Sequence, residues 1–132
     1  MGIFNKIFNN QRNFLVSGTP QPGKVVYNKL VRNRIPEIIS REGKKCNYRI
    51  ISDAELKKHL HSKINEEAWE LMHACTKEQV LDEMADILTI LEEFKKVYGI
   101  GDNELFKYWS KKNIEKGDFS MHVFLESVED PE

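Results

Sequence analysis

Apolar residues recur at three- and four-residue steps over three long stretches of this 132-residue chain, the period of helices that bury one face. Ser52-x-x-Glu55 has the form of a capping box and predicts a helix from there to about Cys75. Thr76-x-x-Gln79 is a second box; it predicts a helix to about Tyr98 with Gly99 as its stop. Asp102 is placed to cap a third long helix, ending near Lys116 ahead of Gly117. Upstream, Pro36 suits the first turn of a short helix over residues 36–42, closed by Gly43. Residues 46–51 read as extended, and the β-prone tail 122–128 is expected to pair with them. The fold class expected is mainly α, with a small β element and two long antiparallel helices at its centre.

Residues 1–23 are set apart. Ile3, Phe4, Ile7 and Phe8 have helical spacing, but Asn5, Asn9, Asn10 and Gln11 interrupt them, and residues 17–23 (SGTPQPG) form a linker. The expected organisation is an appendage over 1–23 and one domain over 24–132.

Certain positions break the apolar pattern in an informative way. On a wheel with Leu56 at zero, Leu60, Ile64 and Leu71 fall at roughly 40°, 80° and 60°, and Glu67 falls among them at roughly 20°. Lys63 and Glu70 sit on the shoulder of the stripe, and Glu66 farther out. In the next helix Val80, Met84, Ile87, Leu91, Phe94 and Tyr98 make the apolar face, with Glu83 between Ile90 and Phe94 and Asp86 at the edge near Val97. An ionised carboxylate on a core line is costly unless paired or metal-bound. The pairs Glu67/Glu70 and Glu83/Asp86, each at i, i+3, would form a four-carboxylate nest if the two helices face each other. Such a donor set, with no His or Cys, favours Mg²⁺ or Mn²⁺ over zinc.

Composition narrows the function classes. Lys plus Arg is 20 and Asp plus Glu 21, a net charge of −1, which argues against binding a nucleic-acid backbone. No apolar run approaches the roughly 20 residues of a membrane span. Two cysteines cannot build a disulfide scaffold or a four-cysteine zinc site, so the reducing cytoplasm is the expected compartment. The net charge hides blocks: eight basic residues against two acids over 24–49, eleven acids against three bases over 66–104, and four lysines against Glu115 over 107–116. Carboxylates for a metal and cations for phosphates are what a metal-bound polyphosphate needs, although solvated helix faces have the same look.

Glu66-Glu67-x-x-Glu70, twelve residues, then Glu83-x-x-Asp86 resembles the EExxE…ExxD signature of the MazG-like all-α nucleoside triphosphate pyrophosphohydrolases. Residues 27–39 (YNKLVRNRIPEII) are similar to the YxKLVRDKIPEII of the phosphoribosyl-ATP pyrophosphohydrolase-like branch, and 111–119 (KKNIEKGDF) to its KKxEKGGF. Asn33 stands where that branch has Asp, Asp118 where it has a second Gly, and residues 1–23 have no counterpart.

The resemblance implies a MazG-like helical bundle whose core is completed by forming a homodimer or higher homo-oligomer. It implies Mg²⁺-dependent hydrolysis of a nucleotide to a monophosphate and pyrophosphate. It further implies metal roles for Glu67, Glu70, Glu83 and Asp86, with Glu66 holding a second metal or orienting the attacking water. Lys63, on the carboxylate face, is either an ion-pair partner or a phosphate ligand and is assigned to phosphate. Lys29, Arg32, Arg34, Lys112 and Lys116 are further phosphate candidates, with an ordinary surface charge as the alternative for each. Trp69 and Trp109 are read as packing residues, and His59, His61, His73 and His122 show no ligand spacing. Two other readings stay open: phosphoribosyl-ATP hydrolysis in histidine biosynthesis, and a non-catalytic helical oligomer.

Overall fold

The computed structural model describes residues 23–132; the expected appendage, but for Gly23, lies outside them. Four α-helices follow one another among the described residues: α1 (Ile35–Arg41), α2 (Asp53–Met72), α3 (Lys77–Tyr98) and α4 (Asp102–Lys116). The chain divides into two compact units, Met1–Tyr98, which holds α1 to α3, and Gly99–Glu132, which holds α4.

Both capping boxes form. The Ser52 hydroxyl accepts from the Glu55 N–H, and the Glu55 carboxylate accepts from the Ser52 N–H, each at 3.3 Å. Arg49 adds two bonds to the same carboxylate, at 3.0 and 3.1 Å. At α3, Thr76 Oγ1 accepts from the Gln79 N–H at 3.1 Å, while Gln79 Oε1 accepts from the N–H groups of Thr76 (3.3 Å) and Cys75 (2.8 Å). These bonds satisfy N–H groups that a helix start leaves without partners. The α2 helix stops at Met72, three residues before the expected end, because His73 closes it. The His73 N–H is shared between the carbonyls of Trp69 and Glu70, and its ring stacks on Trp69 at 4.1 Å. Gly99 stops α3 in the left-handed region, at φ 64°.

The two long helices pack antiparallel. Near the start of α2, His61 meets Phe94 and Tyr98 from the end of α3; farther along, Glu67 meets Glu83. The apolar core of this unit is thin, with Ile35, Leu60 and Ile90 buried among the described residues. On α3 the packed face is centred on Glu83 and Ile90. Met84, Leu91 and Tyr98, expected in the core, are exposed together with Leu81 and Leu88. The apolar arc of α3 is wider than α2 alone covers.

In the second unit Gly101, not Asp102, holds the N-cap position of α4, without a side-chain capping bond. Asp102 and Glu104 instead lie in the first turn, where their charge suits the helix dipole. Past Gly117, Asp118 Oδ1 accepts from the Ser120 N–H at 2.9 Å; the Ser120 side-chain hydrogen bond first, and then this backbone bond, hold the carboxyl below the usual range. The expected β element does not form: neither 46–51 nor 122–128 is a strand. Two short strands without a third, or without a surface to pack on, are marginal in water. No helix of the described residues is long and apolar enough to cross a membrane.

Leu60 is 1% exposed at the middle of the α2–α3 seam, so Leu60→Ala should cost about 2–5 kcal/mol in chemical denaturation. A cost under about 1 kcal/mol would show that the seam is not the core.

Candidate metal centre

The antiparallel pairing determines which carboxylates meet. Glu67, Glu83 and Asp86 each offer an oxygen, and these oxygens lie within 4.8 Å of one another. Glu83 and Asp86 are one turn apart on α3, and Glu67 reaches them across the seam from α2. Glu70, the fourth member of the expected nest, is outside that trio but buried, and it feels the charge of Glu66 and Glu67. Four glutamates, Glu66, Glu67, Glu70 and Glu83, are buried in this unit.

Three cations answer them. Lys63, one turn before the pair, bonds Glu67 at 3.1 Å and Glu66 at 3.5 Å. Lys29, from the segment ahead of α1, bonds Glu66 at 3.0 Å. Burial pushes the Lys29 ammonium down, and the Glu66 carboxylate opposes that shift. Arg32, from the same segment, bonds Asp86 Oδ1 through Nε at 3.1 Å and Nη2 at 2.5 Å.

The remaining charge is not answered by protein groups among the described residues. Glu70 Oε1 and Glu83 Oε2 are buried with no hydrogen-bond partner there. Burial, then the neighbouring Glu67 and Glu66, raises the Glu70 carboxyl. Glu83 is raised to about 9 by burial first, then by a hydrogen bond to Glu67 and the charges of Glu67, Asp86 and Glu70. Buried oxygens in this state need a proton or a cation. An all-carboxylate donor set fits a hard divalent cation, which takes oxygen ligands, and the residues present suit that group.

The sequence reading placed Glu66 away from the stripe, yet it is 5% exposed. One of its partners is Lys29, 37 residues upstream, which no local periodicity reveals. Arg34 pairs with Glu37 on α1 at 3.4 Å instead of turning to the carboxylates. Lys112 and Lys116 are exposed residues of the second unit. Thr89 was not anticipated: its hydroxyl accepts from Arg32 Nη2 at 3.2 Å and donates to the Ala85 carbonyl at 3.1 Å. A threonine one turn past Asp86 carries no signal in sequence.

Residues 42–111 match the family described as phosphoribosyl-ATP pyrophosphohydrolase. That span takes in all five acidic residues of the centre and Lys63; Lys29 and Arg32 precede it. No curated protein and no solved structure matches the chain significantly.

The raised Glu83 carboxyl gives the metal-free protein a pH dependence of definite sign. Its folded value lies above the ordinary 4.5, so the folded state holds a proton that the unfolded state releases. That stabilising contribution is complete below about pH 4.5 and is lost as pH rises toward about 9. Thermal midpoints in chelator should fall over that window, and Glu83→Gln or added Mg²⁺ should flatten the slope. A midpoint that rises across the window in chelator contradicts the protonated pair.

Proposed function

The chain belongs to the phosphoribosyl-ATP pyrophosphohydrolase family, within the MazG-like superfamily, and from that premise we propose Mg²⁺-dependent hydrolysis of a nucleoside triphosphate, or a related nucleotide, to the monophosphate and pyrophosphate. The protein is a nucleotide pyrophosphohydrolase, a hydrolase of acid anhydrides, and its family is metal-dependent. One observation supports the finer reading: Glu67, Glu83 and Asp86 bring oxygens within 4.8 Å of one another, and buried oxygens of Glu70 and Glu83 lack hydrogen-bond partners among the described residues.

In this reading Glu67, Glu83 and Asp86 hold the metal, with Glu70 beside them. Mn²⁺ would satisfy the same donors. When bound, the metal offsets phosphate charge and makes water a better nucleophile. Glu66, held in place by Lys29 and Lys63, accepts a hydrogen bond from the attacking water and takes its proton. The water oxygen bonds to phosphorus, the anhydride bond breaks, and pyrophosphate leaves. Arg32 exchanges Asp86 for phosphate oxygens, while Lys63 and Lys29 keep Glu66 and turn a further ammonium N–H to the phosphate. Arg34, which pairs with Glu37, and Lys112 and Lys116 of the second unit remain phosphate candidates of second rank. Removal of unwanted nucleotides from the cytoplasmic pool is the biological role proposed, with residues 24–132 as the catalytic domain and 1–23 as its appendage.

We include assembly in the proposal. Leu81, Met84, Leu88, Leu91 and Tyr98 form an exposed apolar stripe at helical spacing on α3, and a second copy covering it would complete the core. Light scattering should therefore report a homodimer or larger species at micromolar concentration. A species of only 15.5 kDa contradicts this.

The activity is tested by metal-dependent pyrophosphate release over a nucleotide panel that includes phosphoribosyl-ATP, for the wild type and Glu67→Gln. Losing a residue that merely supports a metal ligand typically costs about 10–100-fold, and losing a direct ligand should cost at least as much. The apo midpoint should hold or rise, because Lys63 keeps Glu66 as a partner and carboxylate crowding is relieved. Full turnover by a well-folded Glu67→Gln protein would overturn the assignment.

A further inference from the structure

The segment ahead of α1 crosses both helices of the centre. Its Lys29 is bound to Glu66 on α2, and its Arg32 to Asp86 and Thr89 on α3. The two attachments differ in kind. The Lys29–Glu66 pair is sheltered, with side chains 18% and 7% exposed; the Arg32–Asp86 pair is open, at 52% and 29%. The backbone at Arg32 is fixed on its other side as well, since the Arg32 carbonyl accepts from the N–H of buried Ile35 at 3.1 Å. The strap is pinned at both ends, and only the guanidinium has room to leave. Asp86 is also one of the three carboxylates that converge. Both Arg32 bonds fall on one of its oxygens, Oδ1, short of the two-oxygen fork that makes such pairs strong.

We infer that Arg32 is an exchangeable plug: it occupies Asp86 while no cation holds that carboxylate, and passes to a polyphosphate once one does. This rests on the metal-centre reading above. The consequence is coupling between two ligands. Metal must displace Arg32 to use Asp86 fully, and a polyphosphate that engages Arg32 frees Asp86 for metal, so each promotes the other's binding. Thr89 acts as the rest position of the guanidinium, since its hydroxyl holds Nη2 beside Asp86.

The test is calorimetric titration of the full chain with Mn²⁺ alone, then with tripolyphosphate at saturating Mn²⁺, for wild type, Arg32→Gln and Thr89→Val. An exposed pair holds its partners by a factor of up to about five, so Arg32→Gln should bind Mn²⁺ about two- to fivefold more tightly. It should bind tripolyphosphate more weakly than wild type. Thr89→Val keeps the volume and the Asp86 contact, so its gain for Mn²⁺ should be intermediate. Opposite signs for the two probes mark the exchange. A supporting residue that merely orients Asp86 would weaken Mn²⁺ on removal, and that result, or no change in a protein with normal circular dichroism, overturns the plug. Absence of Mn²⁺ binding in wild type and all variants instead overturns the metal-centre reading, and the plug with it.

Discussion

Charge balance at the α2–α3 seam is the constraint on which the rest depends. Five carboxyl groups, Glu66, Glu67, Glu70, Glu83 and Asp86, gather there, and three cations among the described residues bond to them. Five against three leaves two, the charge of one divalent cation. The two groups raised by burial, Glu70 and Glu83, are also the two with orphaned oxygens. Burial and the neighbouring carboxylates favour the neutral form of both; in the metal reading proposed above, a divalent cation supplies the two charges.

That constraint has a cost in packing. Four buried glutamates take space at a seam where the two long helices bury only Leu60 and Ile90 among the described apolar residues, so hydrophobic burial there is small. Alignment has to come from elsewhere. The two capping boxes fix where α2 and α3 begin, and the four-residue connection between Met72 and Lys77 keeps them adjacent. A register slip would separate Glu67 from Glu83 and expose Leu60 together. The apolar surface that remains, along Leu81, Leu88 and Leu91, is on the flank of α3 away from the carboxylates. The helix thus presents a carboxylate face and an exposed apolar face roughly 150° apart around its axis.

What was legible in the sequence was local. Ser52/Glu55 and Thr76/Gln79 announced their helices because a capping box is read within four residues. Glu67 and Glu83 announced themselves because a carboxylate on an apolar stripe contradicts its surroundings. What failed was long-range or competitive. Glu66 is bonded by a lysine far upstream, and Arg32 finds Thr89 57 residues away. The buried side of α3 could not be chosen from its arc alone, because the arc is wide enough for two neighbours. Asp102 lost the N-cap to Gly101 because either residue suits the position and the side-chain bond was not made. The β element failed because strand propensity without a sheet to join does not make a strand.

The strap explains why the basic block lies next to the acidic one in sequence and across it in space. A centre that, as proposed, binds a divalent cation and a polyanion together cannot leave its carboxylates bare, nor commit its cations irreversibly to them. Graded exposure resolves the conflict. Lys63, at 15% exposure, and Lys29, at 18%, are sheltered and hold Glu66 between them. Arg32 is open to solvent, so its bond is weak enough to be given up. A guanidinium suits that position better than an ammonium, because its planar donors fit a carboxylate and a phosphate alike. Lysine at 32 would keep the charge but lose the fork, separating attraction to the site from recognition of the phosphate.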